Sequence, residues 1–336
     1  MKSFWKSNIN KISLLISILC FQFLFIQYFK YLNYIPDHSF KRNKNAIWIG
    51  HKWVGEYLSD EDYSLLCAKL QTGKITDVFA HVGPLASDGS IPQEKYPYAR
   101  EFLNRMRDCS ESIHIQAWIG QLEKKGGGKL DITQSSIRES IVLTAESFLN
   151  LGFDGIHYNI EPIYSGDESL LDILKKTHTI TKKQDKILSM ATDEIEPFPF
   201  ADKFLRFFSS RAGLWTSDFY IQVANNVDQI SVMMYDTGTP LSWVYAYIVK
   251  RQVIKITSIL EGKVTLFFGV PTYEEERWSF HSEAENIFSG IRGVSLGIDS
   301  LPIDLVQDKF GIAIYAEWTT DDTEWKIFRR EWLLSL

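Results

Sequence analysis

The sequence predicts an α/β chain, a single (β/α)8 TIM barrel preceded by one N-terminal hydrophobic anchor helix. Three observations carry this reading. From Ala46 onward, short β-branched and aromatic runs alternate with amphipathic helical runs, eight strand–helix units in roughly 290 residues, the size of one such barrel with insertions. The competing layout, an open doubly wound sheet, usually needs fewer strands and often opens on a glycine-rich first turn, which is absent here. Finally, Gly152 to Pro162 reads as a buried strand that ends on a carboxylate, and barrels of this kind place their chemistry at the ends of the strands. No internal repeat and no second soluble domain is visible.

Residues 1–31 read as a separate unit. Lys2, Lys6 and Lys11 precede an apolar run from Ile12 to Phe29 that Lys30 closes, about the 20 residues needed to cross a bilayer as a helix. A cleavable signal peptide needs small residues at its cleavage site, and Tyr31 to Tyr34 is bulky. The reading is an uncleaved signal anchor that holds the soluble domain on the extracytoplasmic side. A cleaved signal peptide with secretion, and a buried soluble helix, are the alternatives. Ile18 and Leu19 are the wrong size for lipidation at Cys20, and Lys30, Lys41, Arg42 and Lys44 balance the amino-side charges, so orientation stays open. Residues 32–45, with Pro36 and several basic side chains, read as a linker, and 46–336 as the barrel.

Along the barrel, Ala46 to Gly50 is the first short strand. Ser59 with Asp62 three residues on opens a helix that runs to Gln71 and stops near Gly73. Asp77 to Val82, Ile113 to Ile119 and Ile187 to Thr192 read as strands two, three and five; Pro97 to Arg107 and Asp167 to Lys183 read as helices. Ile137, Ile141, Ala145 and Phe148 fall on one face of a helix from Ser136 to Leu151. Trp215 to Asn226 and Pro240 to Leu260 are helical, and Gln229 to Tyr235, Val264 to Val270 and Gly311 to Ala316 supply the last strands. Asp321 to Leu334 closes the chain as a helix, acidic at its start and carrying Arg329 and Arg330 near its end, as the helix dipole favours. The run Lys124 to Lys129, with three consecutive glycines, lacks phosphate-loop spacing and reads as a mobile loop.

A net charge of -6 over 336 residues, with no basic stripe, argues against nucleic acid as a partner. Most of the 10 Trp, 15 Tyr and 22 Phe read as core, although a surplus of Trp is also what sugar-stacking clefts use. Of the three cysteines, Cys67 and Cys109 lie on successive helices and read as two buried free thiols, pairing being the alternative in an exported domain.

Side chains alternate along a strand, so His157, Asn159 and Glu161 share one face of strand four and Ile156, Tyr158 and Ile160 the other. Buried carboxylates are rare unless paired or working. Reading off the other strand ends gives His51 and Trp53, His81, Trp118, Asp193, Tyr235 and Asp236, Tyr273, then Glu317 and Trp318. This is a carboxylate-bearing cup lined with aromatic rings, the composition of a carbohydrate cleft.

Asp154 to Glu161 resembles the strand-four signature Asp-x-x-Asp-x-Asp-x-Glu of glycoside hydrolase family 18. Met233-Met234-Tyr235-Asp236 resembles that family's Met-x-Tyr-Asp on strand six, and Gly269-Val270-Pro271 with Tyr273 resembles its strand-seven ending. The likeness covers Ala46 to the last helix. It implies a retaining, substrate-assisted hydrolase of β-linked N-acetylglucosamine glycans, chitinase-like or endo-β-N-acetylglucosaminidase-like, that needs no cofactor. Glu161 would be the general acid and base, Tyr235 would hydrogen-bond the substrate acetamide, Asp236 would contact the neighbouring sugar, and Asp154 would serve structure. Trp53, Trp118, Asp193, Tyr273, Tyr315, Glu317 and Trp318 would bind substrate, Tyr315 aligning with the family's strand-eight Trp. The chain departs from the signature at His157 and Asn159, where the family carries aspartates; Asn-x-Glu resembles the strand of family 85 endo-β-N-acetylglucosaminidases. With Asn159 and His157 beside it, Glu161 lacks the like charge that the family's aspartates supply, and burial or a more distant acid such as Asp193 must raise its pKa.

A catalytically inactive, lectin-like carbohydrate-binding barrel is the alternative function. A metal hydrolase ranks behind both: His51, His81 and His157 fall on early strands, but neither a strand-one His-x-His nor His-Glu-x-x-His occurs. Gly293-Val294-Ser295-Leu296-Gly297 matches a nucleophile elbow in spelling only. Glu274, Glu275 and Glu276 read as a solvated loop rim.

Overall fold

The structure, a computed structural model, describes residues 2–36, 40, 42–197 and 213–334, with side chains from residue 12 onward. The side chains of Lys2, Lys6 and Lys11, and all of Lys41, lie outside that set. Eight parallel strands close into a barrel in sequence order: β1 (Lys44–Ile49), β2 (Asp77–Pro84), β3 (His114–Leu122), β4 (Gly155–Glu161), β5 (Ile187–Thr192), β6 (Gln229–Met233), β7 (Thr265–Pro271) and β8 (Phe310–Tyr315). β1 pairs with both β2 and β8, which closes the ring. Helices follow the strands in turn, at Asp60–Thr72, Ala99–Cys109, Ser135–Leu151, Glu168–Lys183, Ser217–Ala224, Ser242–Leu260, Ile287–Ile298 and Asp322–Ile327.

The alternation along β4 divides two cores. Ile156, Tyr158 and Ile160 point outward and join the large apolar layer between strands and helices. Inside the ring lies a smaller cluster of Ala46, Trp48, Phe79, Trp118, Phe267 and Ala313. Beside it runs a polar chain. Trp48 Nε1 donates to His157 Nε2 at 3.0 Å, His157 Nδ1 meets Ser189 Oγ at 2.7 Å, and Ser189 donates to Gln116 at 2.6 Å. Gln116 and Gln229 then both donate to Asp77 Oδ1, at 3.1 and 2.9 Å. With Nε2 accepting, His157 is the neutral tautomer protonated on Nδ1, and burial holds its pKa well below the ordinary value. Asp154, just before β4, accepts the Ile115 backbone N–H at 3.0 Å and lies 3.4 Å from Lys186, tying β3 and β5 to the start of β4.

Local chemistry accounts for the helix ends. Ser59 and Asp62 form a reciprocal capping box, and Asp321 with Glu324 forms another, each cap being worth about 1 kcal/mol.

Several segments differ from the sequence reading. Cys67 and Cys109 are half-buried and joined by a disulfide, with Cα atoms 5.7 Å apart, rather than being two buried thiols. Their helices are neighbours around the ring, which brings the two positions together. Lys124 to Lys129 is not a loose loop but a tight turn: Lys125 pairs with Asp167 at 2.7 Å, and a Cβ on Gly128 would lie 1.8 Å from the Leu122 carbonyl oxygen. The glycines are there for this close approach. Gly293 to Gly297 lies inside the Ile287–Ile298 helix, which the elbow reading passed over. A Cβ on Gly293 or Gly297 would lie 2.6 Å from Val249 or Val253, so these positions let that helix sit close against Ser242–Leu260. The last helix shortens to Asp322–Ile327 and continues as a π turn, Phe328–Trp332.

The N-terminal helix, Lys2–Leu32, is long and apolar enough over Ile12–Leu32 to cross a membrane, a property that a signal anchor and a signal peptide share. Its final third lies against the barrel flank: Phe23 meets Tyr247, Tyr28 meets Trp243, and Arg292 donates to the Tyr31 carbonyl. The connector after it is also seated, since Tyr34 donates to Asp299 at 2.8 Å and Phe40 packs on Phe310 and Trp332.

Candidate active site

The carboxyl ends of the strands form a cup that Glu161 lines. Glu161 ends β4 and Asn159 stands two residues before it on the same face, paired in register with Leu122 and Gly120 of β3. Tyr235 and Asp236 follow β6, Tyr273 follows β7, and Tyr315 ends β8. Together with Arg277 and Trp318 they line a cavity of 620 Å³. Tyr235 and Tyr315 stack at 5.1 Å between ring centroids, and Tyr273 stands edge-on to both at 6.0 Å. Asp236 adopts a left-handed backbone (φ 63°) and accepts the Tyr273 hydroxyl at 3.2 Å.

A second cavity of 350 Å³ shares Glu161, Met233, Tyr235 and Asp236 with the first and continues past Asp193, Glu194, Thr237 and Trp278. Glu161 therefore sits where two cavities meet.

Electrostatics follow from burial. Removal from water raises the Glu161 pKa, a hydrogen bond from the Asn159 amide lowers it, and the charge of Asp236 raises it. Of the two expected sources of the shift, burial is the larger, and the acid that adds to it is Asp236, brought close by the turn after β6, in place of Asp193. Burial, with neighbouring acids and phenols, holds the Tyr235 pKa well above its usual value, so its hydroxyl stays a donor. If the amide nitrogen of Asn159 faces Glu161, its oxygen faces away, and that Oδ1 is buried without a partner.

Not every strand-end residue reaches the cup. A helical turn at Lys52–Gly55 swings Trp53 outward, where it is buried against Tyr63 and Phe102 and donates to Glu317 at 3.1 Å. Glu317 also meets Lys52 at 3.6 Å, so both residues brace the rim and line neither cavity. Trp118 is buried beside His81 and parallel to Trp318, its indole N–H without a partner, and it too lines neither cavity. His157 lies deeper, in the polar chain. His51 and His81 are neighbours at 5.5 Å, and burial with His51 pushes His81 down to about 4. Among the described residues, no three His, Cys, Asp or Glu side chains converge in a group that could hold a metal ion.

Three side chains near the site escape a reading of strand ends. Glu194 follows Asp193 directly, and burial with the charge of Glu285 pushes it up to about 8. Glu285 is buried and accepts the backbone N–H groups of Thr237 and Gly238 at 2.9 and 3.0 Å. Trp278, just beyond the acidic rim run, is 85% exposed. Of that run, Glu274 and Glu275 line the first cavity, whereas Glu276 is tied to Ser282.

No protein-family profile and no curated protein matches the chain. Solved structures do match. The spore cortex-lytic enzyme SleL of Bacillus cereus superposes with a TM-score of 0.59 at 12% identity, covering 89% of this chain and 76% of that one. A chitinase from Chromobacterium violaceum gives 0.58 at 11% identity, covering 86% and 98%. A class V chitinase from Pseudomonas fluorescens gives 0.58 at 12%, covering 86% and 99%. The chain has their fold. It is the barrel that the resemblance to family 18 implied, and at this identity the likeness shows the fold alone; the chemistry rests on the side chains of the cup.

Proposed function

We propose that this protein is a glycoside hydrolase that cleaves β-linked N-acetylglucosamine glycans with retention, using the substrate's own acetamide as nucleophile. The observation that carries the reading is the pairing of Glu161 with Asn159 at the junction of the two cavities, in the cavity that the stacked tyrosines also line. A carboxyl whose pKa burial raises is protonated when it meets the glycosidic oxygen, and it serves as general acid. The acetamide attacks the anomeric carbon as the bond to the leaving oxygen breaks and Glu161 gives up its proton. Asn159 accepts the acetamide N–H on its unpartnered oxygen, Tyr235 donates to the acetamide oxygen, and Asp236 with Tyr273 holds the sugar. Glu161, now a carboxylate, takes a proton from the water that opens the oxazolinium.

In this reading residues 1–31 are the membrane anchor, 32–45 the connector, and 46–336 a catalytic barrel outside the cytoplasm. The Cys67–Cys109 disulfide supports the compartment, because such bonds persist where the surroundings are oxidising. The neutral Asn159, which supplies no charge to balance an oxazolinium, favours a second reading as a carbohydrate-binding barrel without turnover.

The test is reducing-end release from chitin oligomers, peptidoglycan and high-mannose N-glycans, with Glu161→Gln in parallel. Cleavage lost in the variant by at least about 100-fold supports the enzyme. Binding of one glycan by both proteins without cleavage gives the lectin-like reading.

A further inference from the structure

We propose that the flank of the barrel at the start of the Ser242–Leu260 helix rests on the membrane, with Leu241, Trp243 and Tyr247 in the interface and Lys30, Lys250 and Arg251 on anionic lipid headgroups; this rests on the anchor reading and adds a second contact to it. The N-terminal helix leaves its side chains from Ile12 to Ile26 exposed even where it meets the barrel. Set across a bilayer with Lys30 at the headgroups, it carries Phe23 seven residues back, about 10 Å along the helix. Phe23 stands edge-on to Tyr247 at 5.8 Å between ring centroids, and Tyr28 edge-on to Trp243 at 6.1 Å. The headgroup layer is only about 5–7 Å deep on each side, so a ring that touches Phe23 cannot stay in bulk water. The seated helix thus draws this flank down to the boundary between headgroups and acyl chains.

The composition of the flank suits that depth. Tryptophan and tyrosine gather where membrane meets water, because an apolar ring with a polar tip satisfies both sides. Trp243 and Tyr247 are half-buried and four residues apart on one helix face, and Leu241, just before them, is 50% exposed. Cations gather beside the rings. Lys30 and Lys250 line one small crevice with Trp243 and Tyr247. Burial, Lys30 and Arg251 together push the Lys250 pKa down, with Asp299 opposing them. Arg251 is exposed, and none of the three cations forms an ion pair among the described residues. Anionic lipid relieves such a cluster, since its surface attracts each Lys or Arg that comes near. The Ser242–Leu260 helix starts just past Asp236, at the cup end of the barrel, so the same contact holds the cup beside the bilayer.

The experiment reads depth at single fluorescent labels on the full-length chain, in vesicles of phosphatidylcholine and phosphatidylglycerol whose acyl chains carry bromine as a quencher. The label sits on the free Cys20 or, in a Cys20→Ser background, on Leu241→Cys or Leu143→Cys, the last 64% exposed on the Ser135–Leu151 helix. The expected result is quenching of the Leu241 label by about twofold, as a depth of about 5–10 Å allows, with the Leu143 label unquenched. Omitting phosphatidylglycerol, or adding Lys250→Gln/Arg251→Gln, weakens the quenching at Leu241. Quenching at Leu241 no greater than at Leu143, or unchanged by both the lipid and the charge substitutions, overturns the proposal. A Leu241 label that shifts to the blue without quenching also overturns it, since a second copy of the chain then covers the flank. In each of these cases a quenched Cys20 label leaves the anchor standing. An unquenched Cys20 label sinks the anchor reading itself, and the flank then stands or falls on the Leu241 label alone.

Discussion

Replacing Asn159 by Asp tests the coupling at the centre of the cup. In the native chain the Asn159 amide donates to Glu161 and pulls its pKa down against the effects of burial and Asp236. Asn159→Asp removes that donor and puts a carboxylate in its place, within hydrogen-bond reach of Glu161. At an effective dielectric of about 20, two like charges about 4 Å apart repel by about 4 kcal/mol, equivalent to about 3 pH units. The two carboxyls then share one proton and titrate as a pair. The alkaline limb of kcat/KM therefore moves up by about 2 to 3 pH units. The assay is the pH–rate profile of both proteins on one cleavable chitin oligomer, with unfolding curves to show equal folding. A limb that stays where the native chain has it, in a folded and active variant, refutes the coupling.

Other expectations concern stability. The disulfide closes a span of 42 residues, so Cys67→Ala/Cys109→Ala loses about 4 kcal/mol in the loop-entropy account; urea unfolding with a loss below about 1 kcal/mol would contradict it. Gly128→Ala drives a methyl into the Leu122 carbonyl and costs about 1–3 kcal/mol, read as a lower melting temperature, and an unchanged one means the turn relaxes freely. Glu194 ionises near 4.5 when unfolded and about 8 when folded, so its stabilising contribution is complete below 4.5 and lost as pH rises through 8. Glu194→Gln should thus gain melting temperature over the native chain from pH 5 to pH 8 and little more above; a constant difference across that range would show that Glu194 does not titrate there.

The sequence carried the barrel because each strand is a short, strongly patterned run, and the alternation in β4 is strict enough to separate Ile156, Tyr158 and Ile160 from Asn159 and Glu161. It carried Glu161, Tyr235, Asp236, Tyr273, Tyr315 and Trp318 to one cavity because barrel strands end together. It misplaced Trp53, since four helical residues after β1 rotate that ring into the helix layer, a local choice invisible in hydropathy. Ile287–Ile298 was missed because Gly290, Gly293 and Gly297 weaken a helical signal, whereas close packing on Ser242–Leu260 demands them. The disulfide was underestimated because two cysteines far apart in sequence say nothing of how adjacent helices align. Glu194 and Trp278 lie on loops, where periodicity offers no guide.

The polar chain inside the barrel has a consequence for how this sequence can drift. Trp48, His157, Ser189, Gln116, Gln229 and Asp77 come from six different strands, β1 to β6, yet each satisfies the next. Changing one leaves its neighbour as a buried donor or acceptor with no water to turn to. Acceptable substitutions here are therefore epistatic: a new residue on one strand is tolerated only alongside a matching change on another. A histidine in β4 and an indole in β1 should consequently come and go together across related chains, as a pair inherited rather than as two independent choices.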